Sequence, residues 1–76
     1  MDKMTAAQKI EEFFETSRMG EIYRVVIDST EKVLIEKALE RSSGNQLGAA
    51  KFLGLNRNTL RTKIKKLQID TKQFKQ

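Results

Sequence analysis

A chain of 76 residues with no cysteine, no histidine and no proline has room for one small all-α domain, and it excludes disulfide frameworks, thiolate or imidazole metal sites and Cys- or His-based catalysis. No apolar run approaches the length of a membrane span and the N-terminus lacks the apolar core of a signal peptide, so no membrane partner is expected and the expected compartment is the cytoplasm. The formal charge of +5 is unevenly divided: residues 1–44 hold seven basic and nine acidic side chains, residues 45–76 eight basic and one acidic, which puts any surface for a polyanion in the second half.

Residues 1–4 read as frayed and carry no assigned function. A first helix is expected over residues 5–17, with Thr5 as N-cap, Ala6 and Ala7 as good helix formers, and Ile10, Phe13 and Phe14 as an apolar edge at i, i+3 and i+4. Glu11, Glu12 and Glu15 mark its wet side. So short a helix is marginal alone in water, and its two phenylalanines need a partner surface.

Arg18, Met19 and Gly20 form a break, after which a long helix is expected over residues 21–41. Val25, Val26 and Ile27 would also suit a strand, but the length and the helical spacing that continues to Leu39 favour helix. Its apolar residues, among them Ile22, Tyr23, Val25, Val26, Ile27, Val33, Leu34, Ile35, Ala38 and Leu39, are too many for one narrow stripe. A helix apolar around so much of its circumference must be covered on more than one side. A second copy of the chain is the economical cover, which makes Ile10, Phe13, Phe14, Ile22, Val25, Val26 and Val33 the expected homodimer interface. Residues 1–44 would then be a dimerisation core.

Ser42, Ser43 and Gly44 end the long helix and Asn45 caps the next. The stretch 45–67 reads as a helix-turn-helix. Gly48, Ala49 and Ala50 are small where the first of its helices must come close to the second. Gly54 follows Leu53 where a helix ends and the backbone needs positive φ. Leu55 tucks under the turn, and Asn56 is a good N-cap for a helix starting at Arg57.

Relative to Ala50, the general motif wants an apolar residue three later, glycine four later, and apolar residues five and ten later. Leu53, Gly54, Leu55 and Leu60 supply them. The last apolar position comes one residue late, at Ile64 where Lys63 is expected. Leu60, Ile64 and Leu67 form the inward stripe of the second helix. Asn58, Arg61, Thr62 and Lys65 then project from the opposite side, with Thr59, Lys63 and Lys66 on one flank.

A major groove admits a helix with such a face. Arg57 is the candidate base reader, since its guanidinium can donate two bonds to one guanine. Asn58, Arg61 and Thr62 are secondary candidates, and Lys51, Lys63, Lys65 and Lys66 are expected on phosphate. Residues 68–76 are polar apart from Ile69 and Phe74. Ile69 is expected to fold against the last helix, the rest to be a flexible basic tail with Lys72 and Lys75 open to weak phosphate contacts.

Leu34-Ile35, Ala38-Leu39, Gly44-Asn45-Gln46, Ala49-Ala50, Leu53-Gly54-Leu55, Arg57-Asn58-Thr59-Leu60 and Lys63-Ile64-Lys65-Lys66-Leu67 resemble the Fis family of bacterial DNA-binding domains. That family includes the nucleoid protein Fis and the C-terminal domains of NtrC-type enhancer-binding activators. The resemblance runs from about Ile22 to Asp70. It implies four helices, the first two intertwined with those of a second subunit and the last two forming the helix-turn-helix. The DNA contacts it implies fall on Asn45, Asn56, Arg57, Thr59, Arg61, Lys63, Lys65 and Lys66.

Leu47 and Thr62 stand where Fis itself has polar and basic groups. Asn58 matches the activator domains rather than Fis, which has glycine there, and the hairpin arms through which Fis stimulates a recombinase have no counterpart. The resemblance therefore implies an activator's DNA-binding domain whose parent contacts RNA polymerase through domains outside this chain.

Two other functions compete with a site-specific anchor. One is an architectural nucleoid protein that binds broadly and reads bendability. The other is a helical dimerisation module with a solvated basic face, which leaves the turn glycine and the cap register unexplained. An enzyme is not expected. Asp28, Glu31 and Glu36 are spaced as an exposed helical face, Tyr23 is a lone aromatic, and no nucleophile has a base beside it. Nothing implies a cofactor, a metal or a small-molecule substrate.

Overall fold

The structure, a computed structural model, describes residues 4–75. Residues 1–3, most of the stretch expected to fray, and Gln76, the end of the expected tail, lie outside the described residues. Among the described residues four α-helices follow one another, α1 (Ala6–Thr16), α2 (Ile22–Arg41), α3 (Gln46–Leu53) and α4 (Arg57–Lys66), then one short 3-10 turn (Thr71–Phe74). No strand occurs among the described residues, so the all-α class read from composition and the four helices implied by the resemblance both hold, and Val25, Val26 and Ile27 are helical. The chain divides into two units, Met1–Thr30 and Glu31–Gln76.

In the first unit, α1 starts on a reciprocal pair of bonds. The Gln8 amide N–H donates to Thr5 Oγ1 at 3.1 Å, and the Thr5 amide N–H donates to Gln8 Oε1 at 2.7 Å. Two otherwise unpaired donors of the first turn are thereby satisfied at once. The helix ends with the Ser17 N–H on the Phe13 carbonyl at 2.9 Å. Gly20, at φ +90°, then turns the chain into α2. No described residue of this unit is buried.

The second unit holds the core. Ile35, Ala38 and Leu39 from α2, Ala49 and Ala50 from α3, Leu60 and Ile64 from α4, and Ile69 beyond it are all buried. Leu53, Leu55, Leu67 and Phe74 close around them. The expected inward stripe of α4 is therefore observed, the late Ile64 included.

Gly48, however, is small for a different neighbour than expected. A Cβ there would stand 3.1 Å from the Ser42 Cβ, so the glycine relieves crowding against the α2–α3 turn and not against α4. Nor is the chain irregular after Leu67, as expected of a flexible tail. Ile69 is buried, residues 71–74 form the 3-10 turn, and Phe74 packs on the core. Two apolar side chains in a polar stretch suffice to hold it.

The three helices that end in this unit stop by one device, in which the residue after the last helical turn takes a left-handed conformation and its own amide and the next one fold back. Ser43 (φ 54°), Gly54 (φ 70°) and Gln68 (φ 56°) occupy that position. The following amides, of Gly44, Leu55 and Ile69, donate to the carbonyls of Leu39, Ala50 and Ile64 at 2.8, 2.9 and 3.1 Å. These bonds occupy carbonyls that the helix itself leaves without partners. Leu55 and Ile69 tuck against the core as they do so.

Candidate nucleic-acid interface

The turn between α3 and α4 fixes one helix against the other. Gly54 takes the left-handed conformation that glycine adopts without a steric penalty, and Asn56 opens α4, its Oδ1 accepting from the Asn58 amide at 2.8 Å. Asn45 does the same for α3, its Oδ1 accepting from the Gly48 amide at 3.1 Å. Each cap uses only the amide oxygen. Both side chains are exposed and keep their Nδ2 donors for an outside acceptor.

On α4, Leu60 and Ile64 face inward while Arg57, Asn58, Thr59, Arg61, Thr62, Lys65 and Lys66 are exposed. Asn58, Arg61, Thr62 and Lys65 line one shallow groove along the outward side, the set expected opposite the apolar stripe. Arg57, Arg61 and Lys65 have no ion-pair partner among the described residues. The Thr62 hydroxyl is committed, donating to the Asn58 carbonyl at 3.0 Å. Its oxygen can still accept a bond and its methyl can still touch a base. Lys51, on α3, is exposed as well.

Lys63 stands apart from the other cations. Its Nζ lies 2.5 Å from Glu31 Oε2, with the two side chains 31% and 24% exposed. This pair ties α4 to α2 and engages the ammonium that the sequence pattern placed on phosphate. Glu31 is accordingly not a member of an exposed acidic face, and Asp28 and Glu36 are half-buried too.

Neighbours that sequence spacing left apart also meet at this surface. Arg57 shares an open groove with Asn45, Gln46, Thr71 and Lys75. The only acidic side chain after residue 44, Asp70, is turned to cap the 3-10 turn, accepting from the Lys72 amide at 3.0 Å. Gln46 stands in the Gly44-Asn45-Gln46 stretch of the family resemblance but is not among the contacts expected from it, being one more polar residue in a helical stretch.

The residues expected at a dimer interface are all solvent-accessible in the single chain. Ile10, Phe14 and Val33 are exposed, Phe14 by 60%, and Phe13, Ile22, Val25 and Val26 are half-buried. Tyr23 and Leu34 are exposed beside them in sequence. No described helix is long and apolar enough to cross a membrane.

Residues 26–67, more than half of the chain, match the model of the family described as "Bacterial regulatory protein, Fis family". Over 48 residues the chain is 50% identical to the DNA-binding transcriptional regulator NtrC of Azospirillum brasilense, a match covering 63% of this chain and 10% of that relative. The chain thus corresponds to about a tenth of the length of that relative. No solved structure matches it significantly. A glycine-turned helix pair whose second helix is apolar inside and cationic outside, matched over its whole length by the family model, makes the chain a DNA-binding helix-turn-helix domain of transcription regulation that belongs to the Fis family of bacterial regulatory proteins.

Proposed function

We propose that the chain is the homodimeric, sequence-specific DNA anchor of a bacterial transcriptional activator, holding it at sites upstream of the promoter. The observation that carries this reading is the outward side of α4. Arg57, Asn58, Arg61, Thr62 and Lys65 follow one another along it with no acidic residue among them. A helix laid in the major groove reaches base edges with its first turn. Arg57 then donates two bonds to guanine O6 and N7, with Asn58, Thr59, Arg61 and Thr62 completing the reading. Asn45, Lys51, Asn56, Lys65 and Lys66 hold phosphates and set the register. Lys63 acts through Glu31, orienting α4 on α2.

The relative's printed role as a DNA-binding transcriptional regulator supports a role in transcription regulation, and in this reading the parent activator contacts RNA polymerase through other domains and works in the cytoplasm. The apolar side chains that the single chain leaves uncovered on residues 10–34 support dimerisation. The domain acts by binding, not by catalysis.

The test is selection from random duplexes at physiological salt, followed by comparison of the winner with bulk DNA. A palindromic winner bound about 10³-fold or more above bulk supports the reading. A ratio of about ten or less with binding intact replaces it by an architectural DNA-bending protein. Sedimentation of a folded monomer at micromolar concentration would remove the dimer.

A further inference from the structure

We propose that the segment after Leu67 is a built part of the DNA-binding face, and that Lys75 grips the DNA backbone beside Arg57. The inference rests on the DNA-binding reading above, and it lies outside the family match, which ends at residue 67. Four observations lead to it.

The segment is anchored at two points, by buried Ile69 and by Phe74 against the core. It also lies close against the turn that leads into the motif. A Cβ at Gly44 would stand 2.7 Å from Lys75 Cγ and 3.1 Å from the Lys75 amide nitrogen, so the missing side chain at Gly44 is what lets the chain pass over the α2–α3 turn. Asp70, whose charge would oppose a phosphate, is engaged in capping the 3-10 turn.

The result is one open groove of about 600 Å³ lined by Asn45, Gln46 and Arg57 from the motif and by Thr71 and Lys75 from the segment. The groove has two cations and no acid. With Arg57 turned to the bases, the Lys75 ammonium, the Asn45 and Gln46 amides and the Thr71 hydroxyl remain as donors, a set that matches the acceptor-only, singly charged oxygens of a phosphodiester. The occupant is the DNA backbone and not a free anion, because Arg57 opens the helix that enters the major groove. The strand bordering that groove must pass the same helix end. Lys72, three residues earlier, does not line the groove, and this separates a docked segment from a loose basic tail.

The experiment compares Lys75→Gln, Lys72→Gln and Arg57→Ala in the 76-residue chain, measuring duplex affinity against salt. For Lys75→Gln the slope of log K against log salt should fall by about 1.8, one phosphate contact in each of the two subunits, with binding about 30-fold weaker at about 0.15 M salt. The loss should be the same on preferred and bulk DNA, while Lys72→Gln stays at the unaltered value. A second measurement reads position: the chain has no cysteine, so Lys75→Cys can carry an iron chelate that cuts nearby backbone. Cuts confined to the strand edge next to the Arg57 contact support the proposal.

Equal losses for Lys72→Gln and Lys75→Gln, or scattered cuts, would overturn it in favour of a loose tail. An unchanged slope for Lys75→Gln while Arg57→Ala still weakens the preferred site would overturn it and leave the DNA reading intact. If the unaltered chain binds no duplex, the DNA reading itself fails, and this proposal with it.

Discussion

The two units of the chain differ in what they can bury. From Glu31 onward, eight apolar side chains are removed from water and three helices end in the same hydrogen-bonded device. Up to Thr30 no described side chain is buried, although Ile10, Phe13, Phe14, Ile22, Val25 and Val26 are as apolar as anything in the core. Both stretches are therefore rich in apolar residues, and the difference lies in geometry. Ala49 and Ala50 let helices approach closely enough to seal Leu39 and Leu60, whereas in the first unit Phe13, Ile22, Val25 and Val26 are covered only in part. Apolar content in the first unit is thus an argument about a partner, and in the second an argument about a core.

The sharpest way to break that contrast is by concentration. Leu39→Ala removes a side chain that is 0% exposed and should cost about 2–5 kcal/mol, a large share of a small domain's stability. Thermal melts should show that loss at every protein concentration. Phe14→Asp alters a side chain 60% exposed in the single chain. Its effect should appear as loss of the concentration dependence of melting and as about 10²-fold weaker binding to a duplex with two half-sites, since linked binding is lost. A melt for Phe14→Asp that parallels Leu39→Ala at all concentrations would show that the first unit has a core of its own.

Next in size are changes within the second unit. Arg57→Ala should remove about 1–3 kcal/mol of discrimination at one base position, whereas Lys66→Ala should weaken preferred and bulk duplexes alike. Equal effects of the two on a panel of single-base variants would reject the division between base reader and phosphate holder. Glu31→Gln probes the tie between α2 and α4. A partly exposed pair of this kind contributes roughly 0.2–1 kcal/mol to stability. Releasing Lys63 in both subunits should also raise the salt slope of DNA binding by up to about 1.8. An unchanged slope would show that the freed ammonium does not reach phosphate.

What was legible in the sequence is chemistry that acts within a few residues. Thr5, Asn45 and Asn56 are caps because an oxygen one or two bonds from Cβ reaches an amide two or three residues on, and Gly54 is left-handed because a helix must stop there. The reciprocal bond from Gln8 was readable by the same logic, as Thr-x-x-Gln before an apolar run. Contacts between distant residues were not legible. Glu31 and Lys63 meet across 32 residues of chain, Gly48 is small for Ser42 and not for α4, and Phe74 joins the core from a polar stretch. Ser43 and Gln68 escaped notice for another reason: neither residue type announces a left-handed backbone, which here is imposed by the bonds that close α2 and α4.

The smallest expected effect follows from that last point. Gln68 sits at φ 56° and Ser43 at φ 54°, in the position that glycine fills after α3. A left-handed conformation costs a residue with a Cβ roughly 1–2 kcal/mol. Glycine avoids this, but it loses about 0.5–1 kcal/mol more conformational freedom on folding. Gln68→Gly should therefore stabilise the chain by roughly 0.5–1 kcal/mol, a rise of about 2–8 °C in melting temperature for a domain of this size. Gly54→Ala, which places a Cβ in the same conformation, should shift the melt the other way. Because Ile69 follows Gln68 directly and is buried, relief at residue 68 should also hold residues 69–75 more firmly, slowing amide exchange at Ile69. A melt unmoved by Gln68→Gly would mean that the glutamine side chain makes up for its backbone, and that the three helix ends, alike in hydrogen bonding, differ in how their left-handed residue is supported.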